Sequence, residues 1–137
     1  MGEQKIGFGL YGSGLVAPFH AKALQASEKA RLVAIAARSP EPRAKLAAEF
    51  GCRAYTTLDE MLADPEVEVV NVLTPNHVHT EAVLACARAG RHVLVEKPPA
   101  MSLREIDEMD AACRAAGVKL GVTLQCRVRK PIQAMGA

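Results

Sequence analysis

The sequence predicts a doubly wound α/β fold: a parallel sheet of six strands with helices on both faces, three layers in αβα order. Three observations predict it. Short apolar runs of strand length alternate with helical stretches along nearly the whole chain. Those runs show little apolar–polar alternation, the mark of strands buried on both faces, and such strands belong to parallel sheets covered by helices. The first run also passes through a glycine turn straight into a helix.

The elements follow in order. Residues 6–11 are a first strand, short and apolar, ending in glycines. Residues 15–26 carry Leu15, Phe19, Ala23 and Leu24 at helical spacing. Residues 32–37 are an apolar second strand; Pro40 and Pro42 then open a helix that runs to about Phe50, with Gly51 at its end. A weak strand at 52–55 and a short helix at 57–63 follow, with Asp59 and Glu60 in the first turn where acids suit the dipole. Residues 67–73 form a stronger strand, a helix runs from Asn76 or His77 to Ala89 before Gly90, and 92–95 is the fifth strand. Ser102 with Glu105 three residues on predicts a capped helix to about Ala116, closed by Gly117. Residues 118–124 are the sixth strand.

The bulk properties narrow the function. The chain has 137 residues, half of them hydrophobic and 23% charged, with a net charge of +2. This suits one globular core and argues against a general nucleic-acid or membrane partner. No stretch approaches the roughly 18 apolar residues of a membrane span, and the N-terminus, MGEQKIGFGLYGSG, makes a poor signal peptide. A cytoplasmic location is expected. Cys52, Cys86, Cys113 and Cys126 form no C-x-x-C pair and are read as free, buried thiols.

The glycine set GSGLVA sits where a dinucleotide motif must sit, after a strand and before a helix. Gly12 permits the tight turn, Gly14 lets backbone approach a pyrophosphate, and small Ala17 lets helix and strand pack closely. The helix N-terminus then presents free N–H groups and a positive dipole end to the phosphates. This is the Rossmann arrangement, with strand order 3-2-1-4-5-6.

An acid at the end of the second strand would bind the ribose 2′-hydroxyl of NAD. The chain has Ala37-Arg38-Ser39 there. Arg38 and Ser39 suit a 2′-phosphate, so NADP is the preferred cofactor. The competing reading makes Arg38 a solvated loop residue, with NAD used or both accepted.

Ligands of such sheets lie beyond the carboxyl ends of the strands, where the strand order reverses. Leu73 to Asn76, in the stretch LTPNHVH, therefore face the cofactor opposite Gly12 to Gly14. His77 and His79 lack a third ligand at sensible spacing, and no metal is expected. His20 and His92 are read as packing or hydrogen-bonding histidines. Glu96 and Lys97 emerge from the fifth strand beside the nicotinamide half of the cofactor, where a lysine can hold a substrate hydroxyl.

With GxGxxA after the first strand, TPNHVH after the fourth and EKP after the fifth, the chain resembles the Gfo/Idh/MocA family, the relatives of glucose-fructose oxidoreductase and inositol dehydrogenase. The resemblance implies that Gly12, Ser13, Gly14, Leu15 and Val16 touch the pyrophosphate. It implies that Leu73, Thr74, Pro75, Asn76 and His79 line the cofactor cleft. Glu96 and Lys97 would sit at the nicotinamide, with Lys97 catalytic and in reach of substrate, and Arg127 would lie on the substrate side. The implied reaction is NAD(P)-dependent hydride transfer to or from a hydroxyl carbon of a sugar, cyclitol or nucleotide-sugar. The tail QCRVRKPIQAM looks most like members acting on nucleotide-sugar acids.

Two departures stand beside the resemblance. Ala37 occupies the place where NAD-using members often carry Asp. The chain also stops where the family's second, substrate-binding domain would begin, so residues 1–124 are expected to be the dinucleotide-binding domain and 125–137 the start of the other. Self-association through the face that domain would cover is a further expectation. The alternatives are a stand-alone nucleotide-binding module without catalysis and a remnant that folds but binds nothing.

Overall fold

The computed structural model describes residues 3–124 and 130–135. Six strands form one sheet: β1 (Ile6–Tyr11), β2 (Ala30–Ala36), β3 (Arg53–Tyr55), β4 (Val69–Val72), β5 (His92–Glu96) and β6 (Leu120–Thr123). Every pairing is parallel and the order is β3-β2-β1-β4-β5-β6. The helices are α1 (Ala17–Ala26), α2 (Pro40–Phe50), α3 (Leu58–Leu62), α4 (His79–Arg88), α5 (Leu103–Ala116) and α6 (Lys130–Met135). Order and direction are those the sequence predicts.

Each face of the sheet carries its own apolar cluster. Leu10, Ile35 and Leu73 pack with Ala17, Ala21 and Leu24 of α1 and Leu46 of α2. Val33, Val70, Val72 and Val95 pack on the other face with Met61, Val83, Cys86, Met109 and Cys113. Val70 and Val72 share one face by the two-residue period of a strand. Val33 and Ile35, also two apart, reach opposite faces because the register of β2 shifts against β1 between Phe8 and Gly9, leaving Val33 as an extra residue.

Local signals set the helix starts. Thr57 and Glu60 form a reciprocal capping box at α3. At α5 the Ser102 hydroxyl accepts from the Glu105 amide, while the Glu105 carboxylate reaches back to the Met101 amide at 2.7 Å, one residue earlier than the capping-box pattern places it.

Several boundaries differ from the sequence reading. The Leu15–Phe19 spacing marks a helix but not its buried side: Leu15 is 92% and Phe19 72% exposed, and Ala17, Ala21 and Leu24 face the sheet instead. Alanines allow α1 to lie close on β1, which larger side chains would prevent. β2 begins earlier, at Ala30, because β1 pairs with it from Ile6 onward. Asn76–Val78 is a turn of 3-10 helix, and α4 proper starts at His79. Helix α6 was not anticipated; Pro131 sits in its first turn, a position that tolerates proline.

Candidate dinucleotide site

The carboxyl ends of β1, β2 and β4 open into a cavity of about 490 Å³, lined among others by Tyr11, Gly12, Ser13, Gly14, Arg38, Ser39, Leu73, Thr74 and Pro75. It lies at the reversal of strand order, between β1 and β4. His77 and Val78, not anticipated from the sequence, complete that wall.

Gly12 and Gly14 differ in what they do. Gly12 has φ +119°, and a Cβ there would stand 2.9 Å from the Leu73 carbonyl carbon. The turn after β1 and the turn after β4 are thus in backbone contact. A Cβ on Gly14 would meet nothing within 4 Å, so its side faces open space. The next turn closes through the Ala17 amide on the Gly14 carbonyl at 3.1 Å. Among the described residues, the amides of Ser13, Gly14, Leu15 and Val16 donate to no protein acceptor. Thr74, behind them, has a buried hydroxyl without a partner among the described residues. A row of free donors, an uncovered glycine and an uncommitted hydroxyl suit a pyrophosphate.

Arg38 and Ser39 are exposed at the other end of this cavity. Ser39 is the N-cap of α2, yet its side chain makes no capping bond, which leaves the hydroxyl free. Arg43 joins them: it donates to the Ala37 carbonyl at 2.6 Å, bringing a second guanidinium to the end of β2. The sequence carried no separate signal for Arg43 beyond its place one turn into α2. Burial pushes the Tyr11 phenol above its usual value, an effect that the nearby Arg38 partly offsets.

His79 is fully buried and reaches neither cavity wall. Its Nδ1 lies 2.9 Å from the Pro98 carbonyl oxygen and its Nε2 2.8 Å from that of Thr74. The ring braces the loop after β4 against the loop after β5. Leu15 and Asn76 are exposed and outside the lining, so any part Leu15 plays falls to its amide.

A second cavity, of about 640 Å³, opens beyond β5 and is lined by Val16, Phe19, His20, Ala23, Glu96, Lys97 and Thr123. Lys97 is exposed, and the Lys97–Pro98 peptide is cis. His20 and Glu96 are joined at 2.9 Å, each side chain 17% exposed. On its other side the His20 ring meets the amide of Asn71 at 3.2 Å. These three residues lie on α1, β4 and β5, and only the fold brings them together. Arg127 lies outside the described residues, as does Cys126.

The described thiols are free: Cys86 and Cys113 are buried, while Cys52 is only partly so. Burial pushes Cys86 up to about 12, with Cys113 adding to the effect, and burial also raises Cys113 and Cys52. Thiols held this firmly protonated are poor nucleophiles. Among the described residues, no three His, Cys, Asp or Glu side chains cluster as a metal site would need.

The family model described as "Oxidoreductase family, NAD-binding Rossmann fold", that of Gfo/Idh/MocA, matches residues 6–124. The chain belongs to this family. It is 43% identical over 97 residues to 1,5-anhydro-D-fructose reductase of Ensifer adhaerens, a match covering 70% of the chain and 29% of that protein. The WlbA dehydrogenase of Bordetella pertussis, solved with NADH and UDP-GlcNAcA, superposes with a TM-score of 0.91 at 36% identity, over 96% of this chain and 40% of that one. Biliverdin reductase of Synechocystis sp. PCC 6803, solved with biliverdin and NADP+, gives 0.87 at 27% identity, over 96% and 42%. The chain thus spans well under half the length of these relatives. The two solved relatives hold different nicotinamide cofactors, so the family supplies the dinucleotide and leaves its phosphate form open.

Proposed function

We propose that this chain binds NADP, and NAD less tightly, as the cofactor-holding part of an oxidoreductase acting on a hydroxyl carbon of a sugar-like small molecule. The observation that carries the reading is the row of free amides beside open Gly14, at the reversal of strand order. The amides from Ser13 to Val16 would hold the pyrophosphate, with the turns at Leu73 to Asn76 closing over it. Arg38, the free Ser39 hydroxyl and Arg43 would hold the 2′-phosphate by charge-assisted bonds. Glu41, in the first turn of α2, works against a phosphate there but lies outside the lining.

The nicotinamide supplies the hydride acceptor or donor. The protein's part is to orient and to manage the proton. Lys97 stands in the wall of the second cavity, where its amine would hold a substrate hydroxyl oxygen and favour its alkoxide. Arg127, outside the described residues, would lie on the substrate side. Residues 1–124 would be the dinucleotide unit and 125–137 the opening of a substrate unit. No helix among the described residues is long and apolar enough to cross a membrane; we place the protein in the cytoplasm. We also read the open side of α1, with Leu15 and Phe19, as a surface through which copies associate.

Calorimetric titration with NADP+ and then NAD+ tests the cofactor reading. NADP+ is expected to bind more tightly, and Arg38→Asp to weaken it by about tenfold or more while sparing NAD+. Equal affinities, unaffected by Arg38→Asp, would return Arg38 to the role of a solvated loop residue. Turnover with sugars separates the enzyme from a stand-alone binding module.

A further inference from the structure

We propose that Asn71 and His20 form a positioning chain that holds the Glu96 carboxylate as a fixed negative charge beside the nicotinamide, biasing the site toward the oxidised cofactor. The inference rests on the dinucleotide reading above.

The chain begins in the core. Asn71 is 3% exposed, in the middle of β4, between Leu10 of β1 and Leu94 of β5. A polar amide at that place costs free energy unless it is bonded. Its Nδ2 faces His20 Nδ1 at 3.2 Å, while its Oδ1 has no partner among the described residues. Among the described residues, the side-chain amide's one bond is therefore spent on the imidazole. With Asn71 donating, Nδ1 accepts and Nε2 carries the hydrogen, a tautomer assigned from the network. Nε2–H then donates to Glu96 Oε1 at 2.9 Å. A buried amide sets a ring, and the ring sets a carboxylate.

That carboxylate lies in the wall of the 640 Å³ cavity, next to Lys97, at the carboxyl end of β5. The first cavity takes the adenosine side, at the ends of β1 and β2. A dinucleotide crossing the strand reversal brings its nicotinamide to the ends of β4 and β5. An oxidised nicotinamide is a cation and the reduced ring is neutral. A carboxylate fixed nearby and partly shielded from water distinguishes the two by charge alone. If Glu96 swung free into solvent, screening would remove most of that difference.

The ratio of affinities for oxidised and reduced cofactor isolates the effect. The two forms share every phosphate and ribose contact, so a merely structural change weakens both equally. Dissociation constants for NADP+ and NADPH would be measured on the 137-residue chain and on Glu96→Gln, His20→Phe and His20→Gln. Glu96→Gln is expected to weaken NADP+ about tenfold relative to NADPH. His20→Phe should move the ratio the same way, and His20→Gln should restore it in part, because its amide N–H can replace Nε2–H. A ratio left unmoved by Glu96→Gln while both forms still bind would overturn the proposal and leave the dinucleotide reading intact. No binding of either form to the unaltered chain would overturn the dinucleotide reading and this proposal with it. Glu96→Gln keeps the shape of the site, so the test survives even if His20→Phe fails to fold.

Discussion

Gly12 and Gly14 are two residues apart and carry opposite constraints. Gly12 combines a positive φ with a 2.9 Å approach to Leu73 backbone, so a methyl group there meets both strain and a clash with main-chain atoms. Gly12→Ala is expected to cost about 1–3 kcal/mol of stability, read by urea unfolding, and to abolish cofactor binding. Gly14→Ala meets no protein atom. It should leave the unfolding midpoint nearly unchanged and still weaken cofactor binding, because the added methyl would fill the space proposed for phosphate. Equal destabilisation by both would show that the loop is governed by packing alone. The glycine spacing itself was legible in the sequence. The difference between the two positions was not, since it depends on where β4 delivers Leu73.

At the scale of elements, the edge strand β3 is anchored by charge. Asp64, buried after α3, accepts from Arg53 at 2.7 Å and from the Tyr55 hydroxyl at 2.9 Å. Glu66 in turn takes Arg31 of β2 at 3.1 Å and also meets Arg53. Burial alone would raise the Asp64 carboxyl, but the bonds from Arg53, the Glu66 amide and Tyr55 outweigh it and leave it below the usual range. Its folded value is thus lower than its unfolded one. The stabilisation is complete above the ordinary carboxylate range, near 4, and is lost as pH falls through the folded value. Asp64→Asn is expected to cost about 1–3 kcal/mol at pH 7 and much less near pH 2, measured by urea unfolding at both. A cost independent of pH would sink the linkage.

The same scale shows why some of the site was unreadable. EKP and TPNHVH could be placed because each follows directly on its strand. His20 and Asn71 are 51 positions apart, and His20 and Glu96 76 apart, so nothing local links them. His79 sits inside a readable motif, yet its ring turns inward to two carbonyls, a direction that sequence spacing does not record. On α1, helical periodicity gave the helix but not its orientation, because two of its three buried residues, Ala17 and Ala21, are alanines whose small size carries weak apolar signal.

For the whole molecule, the layering followed from the pattern of apolar runs and the strand order from the glycine turn after the first strand, which marks the dinucleotide arrangement. What the pattern did not give is the extent of apolar surface at one side. Phe19 is 72% exposed and Leu124 44%, and Phe19 shares a cavity with Thr123, the neighbour of Leu124. Such a surface favours association. Light scattering over a concentration series is expected to show dimers or larger species, shifted toward monomer by Phe19→Ser with Leu124→Ser. A monomer at every concentration would remove self-association from the account.

The central position of β1 bears on how the chain is made. The first of these six strands to be synthesised lies between β2 and β4, so its partners arrive at different times. Pairing with β2 becomes possible once Ala36 has emerged, but the opposite edge of β1 waits for Val69–Val72. Through that interval a nascent chain carries an open, apolar strand edge, with α2, β3 and α3 still to be synthesised. Vectorial synthesis therefore leaves the future ligand crevice, between β1 and β4, as the last seam of the first half to close.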